Sequence, residues 1–567
     1  MFIFVLLAGF NTARILFSMN NSTSAITRLF SIRNSYGKNL ADQKVKLLQD
    51  IENRPAKTKK DIQLLNGTLL FLLAYPDNTA VYKQASRSLK QLEQLVRTNK
   101  RLKQSSYNSG ITHTHLCASF SFEIVKWMRA NHPEDTTLND IEADEGQVQS
   151  ILSVVMPKVE SEIMQDGNAS WKPWLQQSMQ QDETLLDRMI AVFDESHLRP
   201  EVKDELWGAL GINVEIYFSK HTCLPVSLFT PYYHRSLINR KSILLQPYVK
   251  PVQVKLSKEE AEQVIQCGRI VLMRQLREID PISFTSARLA SYYQLARGLS
   301  VALMGMVPER RHPIDSYMGY VVFKNGLPVA YAGSWILFDS ARIGLNIFPE
   351  YRGGESAYIF QQVLSLHKEV YKLNRFTVDP YQLGKDNADG IHSGAFWVYH
   401  HAGFRPINMQ QKKLAEAEAK KVVEDNNYRT SAKVLKILAN SRMEWVMNKK
   451  AVWFDATDIS RTYARIVKEQ FNNDRKEAEV YAFKKLAVWL QLKDNRDEQV
   501  SYVLQNWCVL LFNKKMQLPK NAGTKKMMKE LVILKANGRE ELYIKAMQQF
   551  GGLRDFIEEV VKQNTEV

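Results

Sequence analysis

Residues 317–348 read YMGYVVFKNGLPVAYAGSWILFDSARIGLNIF, and residues 349–373 continue PEYRGGESAYIFQQVLSLHKEVYKL. The first segment predicts three strands, Tyr317 to Lys324, Pro328 to Phe338 and Arg342 to Phe348. Asn325-Gly326 joins the first two, because both residue types tolerate the positive φ of a tight hairpin turn. Asp339-Ser340 turns the chain again, so an antiparallel meander is expected, ended by Pro349. A helix from about Glu355 to Leu373 follows, with Ile359, Val363, Leu366 and Val370 on one face. Gly353 and Gly354 let the backbone bend straight into it. Such a turn presents free amides at a helix N-terminus, which suits a phosphate. It equally suits an ordinary strand-to-helix connection.

The sequence then predicts a strand at Arg375 to Val378, a polar loop, a short helix through Ser393–Gly403 and a last strand at Phe404 to Ile407. Gly403 is a natural helix terminator. Upstream, Ser257 and Glu260 form a capping box for a helix from Lys258 to about Glu278, stopped by Asp280-Pro281. An amphipathic helix is expected from Ser286 to Arg297, then a buried strand from Leu299 to Met306.

Ala395, Tyr399, Gly403 and Phe404 resemble the A-x-x-x-Y-x-x-x-G-F pattern of the GNAT acyl-CoA N-acyltransferase superfamily. Pro349-Glu-Tyr-Arg-Gly-Gly resembles that superfamily's pyrophosphate loop, and the order and spacing of the two motifs agree. The resemblance covers roughly 299–409. It implies an α+β fold: a central GNAT-like mixed sheet with helices, flanked by mainly helical regions. It further implies acetyl-CoA or another acyl-CoA as cosubstrate, an amine acceptor as partner, and no metal. The implied activity is direct attack of the amine on the thioester. A catalytically inactive binding or scaffold module of the same fold is the alternative.

The resemblance places the cofactor against Asn346, Ile347, Phe348, Tyr351, Arg352, Gly353, Gly354, Glu355, Ser356 and Ala357. Main-chain amide in 346–348 polarises the thioester carbonyl, and Tyr399 protonates the leaving thiolate, a task a phenol of ordinary pKa about 10 can perform. Glu355 stands where the pattern Q/R-x-x-G-x-G/A has glycine. Either its carboxylate points away and Gly354 takes over, or the turn has stopped binding CoA in the usual way. Asp379 is the candidate base, beside Glu350 and His392. Gln382, Lys385 and Asp386 lie where acceptor contacts are expected.

At 567 residues the chain exceeds one core. The composition divides it into a segment 1–37, a mainly helical region 38–254 with some strands, the GNAT-like domain 255–410, and a basic helical region 411–567. The net charge of +16 is spread along the chain and is read as a solvated basic surface; no nucleic-acid motif accompanies it, and nucleic acid is not an expected partner. Cys117, Cys223, Cys267 and Cys508 form no CxxC pair, which excludes a zinc ribbon or dithiol motif. Their scarcity suits a reducing compartment such as the cytoplasm, with the thiols buried as small apolar groups. His113, His115 and Cys117 would share one face of a strand, and a structural role is expected for them. MFIFVLLAGF at 1–10 resembles the apolar part of a signal peptide but lacks a preceding basic residue. An early start, with the chain proper beginning near Met19, is expected, a membrane-associated leader being the alternative. No firm membrane association is expected.

Overall fold

The computed structural model describes residues 24–165, 170–238, 250–425, 427–491 and 497–563. The 1–10 segment lies outside them. The architecture is α+β. Its spine is a mixed sheet built from β4 (Val252–Val254), β5 (Ala290–Gln294), β6 (Leu299–Met304), β7 (Ser316–Lys324), β8 (Leu327–Leu337), β9 (Ser340–Ile343), β10 (Asn346–Ile347), β11 (Arg375–Val378), β12 (Arg405–Pro406) and β13 (Met443–Val446). The order across it is β12-β13-β11-β9-β8-β7-β6-β5-β4, with β10 pairing β8. The meander β6 to β9 is antiparallel, as its turn residues require, and β11 joins β9 in parallel.

Side chains alternate across this sheet. One face carries Tyr320, Ser334, Phe376 and Lys324 and packs on the helix Ser356–Tyr371; His367 of that helix meets Ser334 at 3.2 Å and the Tyr320 ring edge-on. The other face carries Tyr317, Gly319, Trp335 and Arg342. Helix Lys258–Arg274, started by the expected Ser257–Glu260 box, lies against it: a Cβ at Gly268 would touch Val321 at 3.2 Å. Burial on both faces explains why β7 is buried from end to end.

Two helical expectations are corrected. The stretch 286–297 forms β5, followed by a tight hairpin in which Arg297 and Gly298 both take positive φ. Cross-strand pairing with β6 overrides the helical spacing of Leu289, Tyr292 and Leu295. Within the basic region expected to be helical from 411 onward, residues 428–446 hold a short helix, Ala432–Leu438, and then β13, which inserts between β11 and β12. A second sheet of β1 (His115–Ser119), β2 (Thr136–Ile141) and β3 (Ile212–Tyr217), in the order β1-β3-β2, sits with its own helices around Trp207 and Phe193. The C-terminal helices from Ala456 onward form a third core around Trp507. No helix among the described residues is long and apolar enough to cross a membrane.

The Asn325-Gly326 tip is buried rather than exposed. Asn325 donates to the Ala74 carbonyl at 3.1 Å and the Tyr232 carbonyl at 3.0 Å, and accepts from the Tyr232 amide at 2.8 Å. The tip thus binds the end of helix Lys59–Ala74 to the segment before the sheet. Gly326 has φ +78°, and a Cβ there would collide with the Phe229 ring. Gly326→Ala is therefore expected to lower stability by about 2 kcal/mol or more in urea unfolding, from left-handed strain plus overpacking.

Candidate functional site

The parallel pair β9/β11 holds register only from Ser340–Arg375 to Arg342–Thr377. Beyond it the β9 strand continues against β8 alone, Asn346 facing Tyr331 and Ile347 facing Ala330. β11 meanwhile ends and turns into the helix Pro380–Leu383. The two strands therefore part at Gly344 and Leu345, leaving a wedge. Tyr320 donates its hydroxyl proton to the Gly344 carbonyl. On the same side lies Tyr399, from helix Ala395–His401, with its ring edge-on to Phe360 at 5.1 Å and 3% exposed. Burial pushes its phenol well above the ordinary range, opposed by a hydrogen bond with the Leu345 main chain. Its hydroxyl donates to Gln382 Oε1 at 3.4 Å. Gln382 itself packs on Gly344, where a Cβ would meet its carboxamide at 3.0 Å. The structure thus brings Tyr399, Gln382 and the 344–346 main chain together.

The glycine turn opens the same edge of the sheet. Phe348 and Tyr351 are buried, Arg352 and Gly353 exposed, and Gly354, Ser356 and Ala357 half-buried. No side chain among the described residues caps the first amides of helix Ser356–Tyr371. Arg33 reaches the Arg352 carbonyl at 3.4 Å. Because a trans peptide is planar, the Gly353 N–H of that same unit points the opposite way. Tyr75 covers Gly354 from the N-terminal helices, a Cβ there falling 2.8 Å from its ring. Arg352 makes a two-pronged pair with Asp389 at 3.1 and 2.8 Å across the mouth, both side chains solvated.

Glu355 points inward and is 1% exposed. It accepts from Arg297 at 2.6 Å, from Lys324 at 3.0 Å and from the Ile238 amide at 2.9 Å. His234 stands 3.9 Å away, and Arg297 donates to its Nδ1. Burial alone would raise the Glu355 carboxyl; Lys324, the Ile238 amide and Arg297 outweigh it and hold the group below the ordinary carboxylate range. Burial lowers Lys324 to about 8 against the pull of Glu355, and lowers His234 to about 3. Within this cluster the Glu355 carboxylate, the Lys324 and Arg297 cations and the neutral His234 imidazole sum to +1. The carboxylate therefore does not oppose an anion at the helix N-terminus.

The remaining candidates are placed elsewhere. Asp379 leaves β11 between two guanidiniums, Arg342 at 3.3 Å from one oxygen and Arg442 at 3.2 Å from the other, and the oxygen facing Arg442 is buried with no hydrogen-bond partner among the described residues. Glu350 lies under the turn, bonded by Gln275 at 3.1 Å, and burial raises its carboxyl. His392 is exposed. His113 bonds Tyr217 at 2.9 Å while His115 approaches Glu215 at 3.4 Å. Among the described residues no group of His, Cys, Asp or Glu is placed to hold a metal. The partners of Glu355 escaped sequence reading, since Lys324, Arg297 and His234 are distant in the chain; the two charges at the ends of hydrophobic strands were the available signal.

Removing one member of a buried ion pair leaves the other charge uncompensated, at about 3–5 kcal/mol. Glu355→Gln should lose about that much stability at pH 7, and Glu355→Gln with Lys324→Met should recover part of it. The folded carboxyl lies below its unfolded value, so its contribution is complete above pH ~4.5. It is lost as pH falls through the folded value, and the acid limb of the urea-unfolding profile should flatten in the variant.

Set against protein-family models, curated proteins and solved structures, the chain matches none of them.

Proposed function

We propose that the central domain is an acyl-CoA-dependent N-acyltransferase, moving an acyl group from the thioester to an amine acceptor. The observation that carries this reading is the wedge itself: a parallel strand pair that parts beside an uncapped helix N-terminus, with a protonated phenol at its inner end. In this reading the pyrophosphate binds the amides of Gly353, Ser356 and Ala357, displacing Asp389 from Arg352. That solvated pair is worth only about 0–1 kcal/mol, so its opening is cheap. The pantetheine arm runs between 344–348 and 379–383, and Gln382 swings aside for it. Main-chain amide at 346–347 polarises the carbonyl, the Phe348 amide being committed to the Val329 carbonyl at 3.0 Å. Tyr399 returns a proton to the departing sulfur; desolvation raises the proton affinity of phenol and thiolate together, so donor and acceptor stay matched.

A second reading, a module of this fold that binds a partner without catalysis, is favoured by one observation. Gln382 and Tyr399 close the wedge on each other, and Asp379 is engaged by two arginines rather than turned to an acceptor.

Thermal unfolding with acetyl-CoA separates the two. At a hundredfold excess over Kd a ligand adds about 2.7 kcal/mol, a rise of a few degrees. The transferase reading expects that rise in the native chain and in Tyr399→Phe, which should retain binding but lose acyl transfer by about tenfold or more. Arg352→Glu should abolish the rise by placing a carboxylate at the mouth. No rise with acetyl-CoA or free CoA would leave the binding-module reading.

A further inference from the structure

Two expectations drawn from composition fail on the folded chain. Cys117 is half-buried and Cys223 exposed, so not every thiol is a buried apolar group. The charge matters more. Residues 24–105 hold sixteen Lys and Arg against six Asp and Glu, so ten of the sixteen net positive charges fall in this one stretch rather than being spread along the chain. It folds as the N-terminal helices, the longest of which is Thr79–Thr98. Val81, Ala85, Leu89, Leu92 and Val96 of that helix are buried, where it packs on the helices Lys38–Asn53 and Lys59–Ala74. Its outer face is different. Lys83, Arg87, Lys90, Gln94 and Arg97 recur at spacings of four, three, four and three, which sets them in one stripe, and all five are exposed.

The stripe is about 21 Å long, at 1.5 Å of rise per residue. Its first half lines a groove together with Tyr82, Ser86 and Gln91. Lys100 and Arg101, exposed at the start of the next helix, Lys100–Ser105, add two more cations. Like charges three and four residues apart repel, so the helix itself gains nothing from them. Nor are they answered from nearby. Glu93, the helix's one carboxylate, is turned to His221 at 3.5 Å. Glu52 of the neighbouring helix accepts from Gln84 at 2.6 Å and Ser88 at 3.2 Å, and stands 3.7 Å from Arg87. Among the described residues Lys83, Lys90, Arg97, Lys100 and Arg101 form no ion pair.

The character of the face selects the partner. None of the exposed large apolar side chains among the described residues falls between 79 and 105, and Tyr82 is half-buried. A docked protein needs an apolar and aromatic centre, and a helix lying in a membrane surface needs an apolar face to bury. Single-stranded nucleic acid is held by exposed aromatic rings. The stripe supplies none of these. Cations with hydroxyl and carboxamide side chains between them match the phosphates of a duplex, which Lys, Arg, Ser and Gln contact without reading the bases. We propose that the outer face of helix Thr79–Thr98 binds the phosphodiester backbone of a nucleic-acid duplex without sequence preference, with Lys83, Arg87, Lys90 and Arg97 on the phosphates. The stripe lies outside the central domain, so this binding stands or falls apart from the transferase reading.

The test is fluorescence anisotropy of the full chain with labelled duplexes of about 20 base pairs, DNA and RNA, over a salt series. Four phosphate contacts at about −0.9 each predict a log–log slope near −4, and a loss of affinity of roughly a hundredfold between about 50 and 200 mM salt. Such a slope with either duplex, alike for unrelated sequences, supports the proposal. Lys83→Gln with Arg87→Gln should weaken binding about tenfold or more and lower the slope by about 2. Lys413→Gln with Lys420→Gln removes the same charge from the helix Met409–Glu424 and should leave the slope unchanged. All four side chains are exposed, so unaltered thermal unfolding separates a loss of binding from a loss of fold. Equal losses from the two pairs, or no binding at about 50 mM salt, would overturn the stripe. Binding to phosphatidylserine vesicles but to neither duplex would overturn the partner.

Discussion

One buried carboxylate decides how this fold holds together. Glu355 is the residue before the 356–371 helix, yet its side chain does not serve that helix's amides. It turns under the sheet to Lys324 at the end of β7, to Arg297 in the β5–β6 hairpin and to the Ile238 amide. Lys324 is fully buried and also donates to the Arg297 carbonyl at 2.6 Å. The rings of Tyr75 and Tyr232 flank its ammonium at 5.2 and 5.6 Å. Such charges are tolerable inside only because each is paired and hydrogen-bonded. The cluster therefore fixes the N-terminal helices, the segment before the sheet, the hairpin and the turn against one another. Its own charges sum to +1, so the carboxylate that suggested repulsion in the sequence is more than balanced by its partners.

The meander was legible because its signals are local. Asn325-Gly326 needs positive φ and takes it, at 48° and 78°. Ser257 and Glu260 bond as a capping box reads, at 3.1 and 2.9 Å. Ile359, Val363 and Leu366 on the periodic face of the 356–371 helix are buried as spaced, and Val370 is half-buried. Misreadings came where long-range pairing outweighed local preference: β5 at 290–294 has helical spacing, and β13 at 443–446 is a strand only because β11 and β12 lie on either side of it. Arg297-Gly298, a turn pair like Asn325-Gly326, was the overlooked hairpin signal.

The candidate site was partly legible for the same reason. Tyr399 and the glycine turn lie in motifs with fixed spacing, and the structure sets Tyr399 at the wedge and the turn at its mouth. Asp379 was chosen as a strand-end carboxylate. Its environment is made by Arg342 of β9 and by Arg442, just before β13, and Arg442 also pairs Asp455, which caps the first helix of the C-terminal core. That group of charges joins the sheet to the C-terminal helices across the face opposite Tyr399. No spacing in the sequence announces such a contact, because its members lie up to 113 residues apart in the chain, as in the Asp339–Val452 bond beside it.

The central proposal is that the inward turn of Glu355 leaves the amides of Gly353, Ser356 and Ala357 available to a pyrophosphate. Hydrogen exchange at 353–357, with and without CoA, measures those amides directly. The account predicts slowed exchange on adding CoA, centred on 353–357 and extending to 344–348, and no such slowing with pantetheine at the turn. Exchange at 353–357 that is indifferent to CoA would contradict it.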